Sequence, residues 1–221
     1  MDFGFVDEYS QYFINGTIST IVIAILTVVL GVIIGTVLAL MKISKNGILK
    51  FVASAYIEFI RGTPLLVQIS LVYFSVSFPQ FILFGIEMNR FIPGVIAMAI
   101  NSGAYVAEII RAGIQAVDKG QMEAARSIGF TSGQSMRYIV LPQAIRNILP
   151  ALGNEFVVVI KESSVLSVIG IVELMRSADI VKAAIYQPFA PLIVVAIIYF
   201  ILTFTLTRIL GFAERRMRAS D

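Results

Sequence analysis

From Ile18 to Met41 the chain runs without a single ionisable side chain. A helix needs about 20 mostly apolar residues to cross the hydrocarbon core of a bilayer, and this stretch supplies them. The remainder agrees with it. Of 221 residues, 58% are hydrophobic and 14% charged, and the mean hydropathy is +0.90. A soluble domain of this size has too little interior to hide so much apolar surface. The expectation is an all-α integral membrane protein, folded as a single domain over residues 1–221.

Five spans are read, at 13–41, 48–84, 91–113, 137–160 and 188–212. The second carries Glu58, Arg61 and the Gly62-Thr63-Pro64 break, so it reads as one long kinked element or two half-helices. The segment Ser163 to Ala184 holds Glu173, Arg176, Asp179 and Lys182, which makes it a poor span. The opening residues lack the basic region of a cleavable signal peptide and carry Asp2, Asp7 and Glu8 instead. Lys42, Lys45 and Lys50 follow the first span and place that loop in the cytoplasm. Alternation then puts Arg111, Lys119, Arg126, Arg137 and Arg146 inside, together with Arg208, Arg215, Arg216 and Arg218. The outside receives Arg90, Arg176 and Lys182 against Asp2, Asp7, Glu8, Glu87, Glu173 and Asp179. The expected topology is N-terminus out and C-terminus in.

Between the third and fourth spans lies a polar loop, 114–136, within which the stretch EAARSIGFTSGQSMRYIVLP begins at Glu123. Gln121 to Ile128 is a good helix former, and Gly129 sits where a left-handed C-terminal cap falls. Thr131 or Ser132 can cap the next helix, whose apolar face begins at Met136, Ile139 and Val140. Pro142 marks the return to the fourth span, where a missing amide does little harm. Such a loop is either a solvated connection or a docking knob, with Ala124, Ala125 and Gly129 as a small-residue surface that a partner groove can approach closely.

The spacing Glu123-Ala124-Ala125, then Gly129, then Ile139-x-Leu141-Pro142 resembles the EAA loop of permease subunits of bacterial ATP-binding-cassette importers. Further segments resemble the polar amino acid uptake branch, of the histidine, arginine and glutamine permease type. They are Arg61-Gly62-Thr63-Pro64 followed by Gln68, Ala104-Tyr105-x-Ala107-Glu108-x-x-Arg111-x-Gly113, and Lys161-Glu162-Ser163-Ser164. The last departs from the usual Lys-Asp-Thr-Ser of that branch. The resemblance implies a type I ABC importer-like permease in the bacterial cytoplasmic membrane, with a cytoplasmic coupling helix. It makes Glu123, Ala124, Ala125 and Gly129 the ATPase-coupling residues. It implies as partners cytoplasmic ABC ATPase subunits, a second permease copy (identical or a sibling) and an extracytoplasmic substrate-binding protein.

Ionisable groups inside a membrane are costly and usually face an interior cavity. Glu155 and Glu162 are therefore the first substrate candidates; seven residues apart, they lie ~10 Å apart along nearly the same helix face. Asn101, in the third span, offers donors and an acceptor, and either contacts the ligand or bonds helix to helix. Gln68 and the backbone freed at Gly62-Thr63-Pro64 offer more polar groups. Leu66 and Ser163, within the same matched segments, complete the candidate set. Glu162 can alternatively neutralise a basic group on a neighbouring helix. Glu58 with Arg61, and Glu108 with Arg111, read as intrahelical ion pairs. Gly31-x-x-x-Gly35 reads as a close-packing surface.

Two carboxylates near an amide suit an amino acid with a cationic side chain, such as arginine, lysine or histidine; glutamine or another neutral polar amino acid is the alternative. The sequence holds no histidine and no cysteine, which removes disulfides, thiolate chemistry, His-based metal sites and His acid/base catalysis. A net charge of +3 does not argue for nucleic acid. No phosphate-cradling Gly-x-x-x-x-Gly-Lys-Ser/Thr occurs, so ATP and Mg are expected on a separate ATPase and no cofactor in this chain. A channel would not need the docking loop, and an ion-coupled transporter would usually show more spans and internal repeats.

Overall fold

In hydrocarbon every backbone amide and carbonyl must be satisfied within the protein, and helices do this locally. The computed structural model describes residues 3–83 and 85–218, with the side chains of Met217 and Arg218 excepted. Asp2 and position 84 of the second expected span lie outside the described residues, as does the side chain of Arg218. Helix α1 spans Phe5–Ile43, α2 Gly47–Arg61 and α3 Leu65–Ser75. A two-stranded hairpin follows, β1 (Ile82–Leu83) pairing antiparallel with β2 (Ile86–Glu87). Then come α4 (Met88–Gln115), α5 (Lys119–Ser127) and α6 (Ser132–Ser135). A π-helical turn at Met136–Val140 leads into α7 (Leu141–Glu162). A 3-10 stretch at Ser163–Ile169, α8 (Leu174–Ile185) and α9 (Ala190–Arg218) complete the order.

Among the described residues, α1, α4 and α9 are each long and apolar enough to cross a membrane. The pair α2 and α3 passes only if taken together, and the two meet at a bend of 106°. Of the two readings open for 48–84, this is the pair of half-helices, since such an angle is far beyond a kink. Helix α7 does not pass, because Arg146, Glu155, Lys161 and Glu162 dilute its apolar sequence. At twelve residues, α8 is too short to span.

α1 and α4 form the central pair, and glycine sets their distance. A Cβ on Gly31 would lie 2.9 Å from Ser102 Oγ, and one on Gly35 would lie 2.7 Å from Val106 Cβ and 2.9 Å from the Ala107 amide nitrogen. In lipid no hydrophobic force drives helices together, so close backbone approach supplies much of the contact. The main core layer packs Ile23, Ile69, Met98, Ile160 and Leu166 from α1, α3, α4, α7 and the 3-10 stretch. A second layer joins Phe5 and Phe13 of α1 to Leu174, Val181 and Val195 of α8 and α9. At the opposite end, Leu38, Ala53, Ile57 and Ala107 pack α1, α2 and α4 together.

Glu173, which the charge count along the sequence assigns to the outside, is not a solvent-exposed charge. It is wholly buried as the N-cap of α8, accepting hydrogen bonds from the amides of Met175 (2.8 Å) and Arg176 (2.7 Å) and from Tyr199 Oη (2.9 Å). Three donors and the positive end of a helix meet its burial cost. Glu58 and Arg61 form no ion pair either. Glu58 is exposed, and the Arg61 guanidinium lies over the Tyr105 ring, 5.3 Å from its centroid, a contact from another helix that displaces the i,i+3 pairing. Glu108 does pair with Arg111 (2.7 Å) and also with Lys42, which ties α1 to α4 below the glycines.

Replacing Gly35 with valine must push α1 away from the α4 backbone, and overpacking of this kind costs about 1–3 kcal/mol. The Gly35→Val protein in detergent is expected to unfold several degrees below wild type; an unchanged midpoint would remove the glycine contact as the determinant of helix spacing.

Candidate functional site: a buried polar relay and a coupling loop

The α2–α3 break is where the buried polar groups begin. Pro64 has no amide hydrogen, so the carbonyl of Ile60, four residues earlier, loses its helical donor. Gln68 supplies a replacement: its Nε2 donates to Ile60 O (2.7 Å), Thr63 O (3.1 Å) and Thr63 Oγ1 (2.8 Å). The carbonyl end of the same amide, Gln68 Oε1, accepts from Asn101 Nδ2 at 2.9 Å. Next to Asn101, Ser102 Oγ donates to Glu155 Oε1 at 2.8 Å. Gln68, Asn101, Ser102 and Glu155 are all buried.

Three of the sequence-derived candidates, Gln68, Asn101 and Glu155, are thus gathered by α3, α4 and α7. Glu155 is 8% exposed, and among the described residues no Lys or Arg pairs with it. A hydroxyl is a weak partner for a buried carboxylate, which ordinarily demands a cation or several donors. Glu162 is half-buried further along α7, within electrostatic reach of Glu155, and no basic side chain neutralises it through an ion pair among the described residues. Leu66 and Ser163 do not join the relay. Leu66 is exposed on α3, and the Ser163 hydroxyl is spent on Ile160 O at 2.8 Å. Ser102 is the member that sequence reading missed; a serine in a helix signals nothing by itself, because its hydroxyl usually bonds its own backbone.

At the end of the molecule that carries Lys42, α5 is capped by Asp118, whose carboxylate accepts from the Gly120 amide at 2.6 Å. It closes at Gly129, which adopts φ +98° with open space around it. Thr131, rather than Ser132, caps α6 through a reciprocal box with Gln134. Glu123 and Ala124 are exposed, but Ala125 is buried against its own chain and cannot belong to an exposed docking surface. Helical periodicity explains the difference: one face of so short a helix must turn inward, and Met122 of α5 packs with Met136 and Val140 in the supporting cluster. In place of Ala125 the exposed face offers Ile128, which is 76% exposed beside Gly129. Pro142 follows the π turn, where the Leu141 amide reaches back to Met136 O, a five-residue step.

Residues 28–219 match the model of the family described as binding-protein-dependent transport system inner membrane component. The chain belongs to that family. It is the permease subunit of an amino acid ABC importer and a component of the inner membrane. The permease is 43% identical over 206 residues to the "Putative glutamine transport system permease protein" of Rickettsia typhi, covering 93% of each chain. It is 40% identical over 221 residues to the arginine transport system permease protein of Bacillus subtilis, covering 100% of this chain and 99% of that one. A crystal structure of an amino acid ABC transporter with histidines superposes with a TM-score of 0.90 at 52% identity, over 98% of this chain and 99% of that one. An inward-facing methionine ABC transporter shares the fold at 16% identity and a TM-score of 0.76, over 98% and 99%.

Ser102→Ala deprives the buried Glu155 carboxylate of its donor, a loss of about 1–3 kcal/mol. A double-mutant cycle with Glu155→Gln, read by thermal unfolding, is expected to give a coupling of at least about 0.5 kcal/mol. Strict additivity would mean that the two side chains do not interact.

Proposed function

We propose that this permease carries polar amino acids past the Gln68–Asn101–Ser102–Glu155 relay and favours a basic side chain such as that of arginine, lysine or histidine. One observation carries the reading: Glu155 is a buried carboxylate held by a single hydroxyl, with no basic partner among the described residues. A cationic substrate group would supply the missing charge, and Glu162 extends the acidic face along the same helix. Neutral polar substrates form the second reading. The amides of Gln68 and Asn101 suit a carboxamide, and the Rickettsia relative bears a glutamine permease name.

Five spans, with the α2–α3 pair and α7 among them, give a single-domain subunit with its N-terminus outside. Two permease subunits pair, identical or sibling, and each docks one cytoplasmic ATPase that binds ATP and Mg. A binding protein delivers the amino acid from the other face. Docking falls to the exposed face of α5 and its cap, with Glu123, Ala124, Ile128 and Gly129 presented together.

In proteoliposomes containing the assembled transporter, Glu155→Gln is expected to lower arginine uptake at least about tenfold, the scale of 1.4 kcal/mol, and to lower glutamine uptake much less. Equal loss for both substrates removes the charge-selection reading. At the coupling end, Gly129→Val forces a branched side chain into a left-handed backbone at about 1–2 kcal/mol and reshapes the α5 cap. Transport per ATP hydrolysed is expected to fall while membrane insertion is preserved. Full uptake at an unchanged ATP ratio would contradict this role for the cap.

A further inference from the structure

A cavity of about 560 Å³ opens at the other end of the molecule from α5, between α1, the β2–α4 junction and the start of α8. It is separate from the polar relay. Along α4, Arg90 at its wall and Asn101 in the relay are eleven residues apart, ~16 Å of helix rise. Its polar lining consists chiefly of Arg90, Arg176 and Glu87, with Asn15 and Ser19 from α1.

The charges do not balance. Arg90 Nε stands 3.0 Å from Glu87 Oε2, but off the line of its N–H, so the buried Nε completes no hydrogen bond. One terminal nitrogen of Arg90 donates weakly to Gly170 O at 3.4 Å. A Cβ at Gly170 would lie 2.5 Å from that nitrogen, so glycine makes room for the guanidinium. The Arg176 guanidinium has no ion-pair or hydrogen-bond partner among the described residues. The nearby acids are committed elsewhere: Glu173 to the α8 amides and Tyr199, Asp179 to Lys182 at 2.8 Å. Two guanidinium groups face one carboxylate, which leaves the cavity ready for an anion.

Depth and surroundings identify the anion's source. Counting ~20 residues back along α1 from Lys42, where the charged Glu108 cluster marks one boundary, reaches about Val22. Val22 lines the cavity, so the cavity lies at the level of the opposite headgroup layer. From it an exposed apolar stripe runs down α1 through Ile18, Val22, Ile25, Val29 and Ile33, at helical spacing. An anionic pocket partner with a hydrocarbon tail fits both features, whereas a free carboxylate would use only the first.

We infer that this cavity is a binding site for the phosphate headgroup of an anionic phospholipid, held by Arg90 and Arg176, with an acyl chain lying along the Ile18–Ile33 stripe of α1. The site does not depend on which amino acid is carried. The test uses the full-length chain co-purified with its ATPase, and native mass spectrometry to count retained phosphatidylglycerol and phosphatidylcholine of equal chain length. Wild type is expected to retain phosphatidylglycerol in preference, and Arg176→Gln to weaken that retention about fivefold, the effect of one basic contact with an anionic headgroup. Arg176→Lys is expected to restore most of it, and raising NaCl from about 0.1 M to about 1 M to weaken phosphatidylglycerol more than phosphatidylcholine on wild type. Equal retention of the two lipids by wild type, or no change in Arg176→Gln, overturns the site. Displacement of phosphatidylglycerol by millimolar arginine or glutamine overturns it too, because the cavity would then be a solute site.

Discussion

Pro64 withholds the amide hydrogen that Ile60 O would accept, and in hydrocarbon that carbonyl has no water to turn to. Gln68 resolves the problem from within α3 and is thereby fixed in orientation, its Nε2 spent on the break and its Oε1 turned towards α4. Asn101 answers that oxygen, which places Ser102 one helical step of about 100° away, facing Glu155 of α7. A backbone defect thus orders polar groups across three helices. Satisfying the break and holding a buried carboxylate on a hydroxyl involve neighbouring residues of one helix, α4.

The arrangement holds only while α1 and α4 stay close. Gly31 faces Ser102 itself, so a side chain there would press on the hydroxyl that supports Glu155. One turn further, Gly35 meets Val106, and beyond it Lys42 closes on Glu108. Small residues govern the middle of the contact and charges its end. The order follows from the cost of burying charge: the partly exposed end of the contact carries the Lys42–Glu108 pair beside Arg111, and its buried middle carries small residues.

What the sequence made legible was whatever departs from its apolar background. Glu155, Asn101 and Gln68 stand out because each is a polar residue in an oily run, and Gly31 and Gly35 because their spacing repeats at helical period. Other features depend on contacts between distant segments. Ser102 carries no sign of its own, since any serine in a helix can bond its own turn. Arg61 three residues after Glu58 satisfies a local pairing rule, yet Tyr105 from another helix offers a better face. Glu173 counts as one more charge until the unsatisfied amides of α8 and the hydroxyl of Tyr199 are seen to converge on it. Proline announces a break at Pro64 without fixing its angle, which is 106° with α3 packed against α4.

The segment that follows α5 joins it to Glu155. From Ser132 the helical path continues through the π turn and α7 to Glu155, twenty-three residues or ~35 Å at helical rise, with no non-helical residue between. The π turn and Pro142 interrupt regular α-helical hydrogen bonding beside α5, Pro150 does so again within α7, and between them Gly113 of α4 admits Ile148. At the far end of this path Glu155 is held against Ser102. The hydrogen bond there is a single one from a hydroxyl to the carboxylate, and no lysine or arginine pairs with Glu155 among the described residues. An arginine on Glu155 would instead close the carboxylate into an ion pair and leave it nothing to offer another cation.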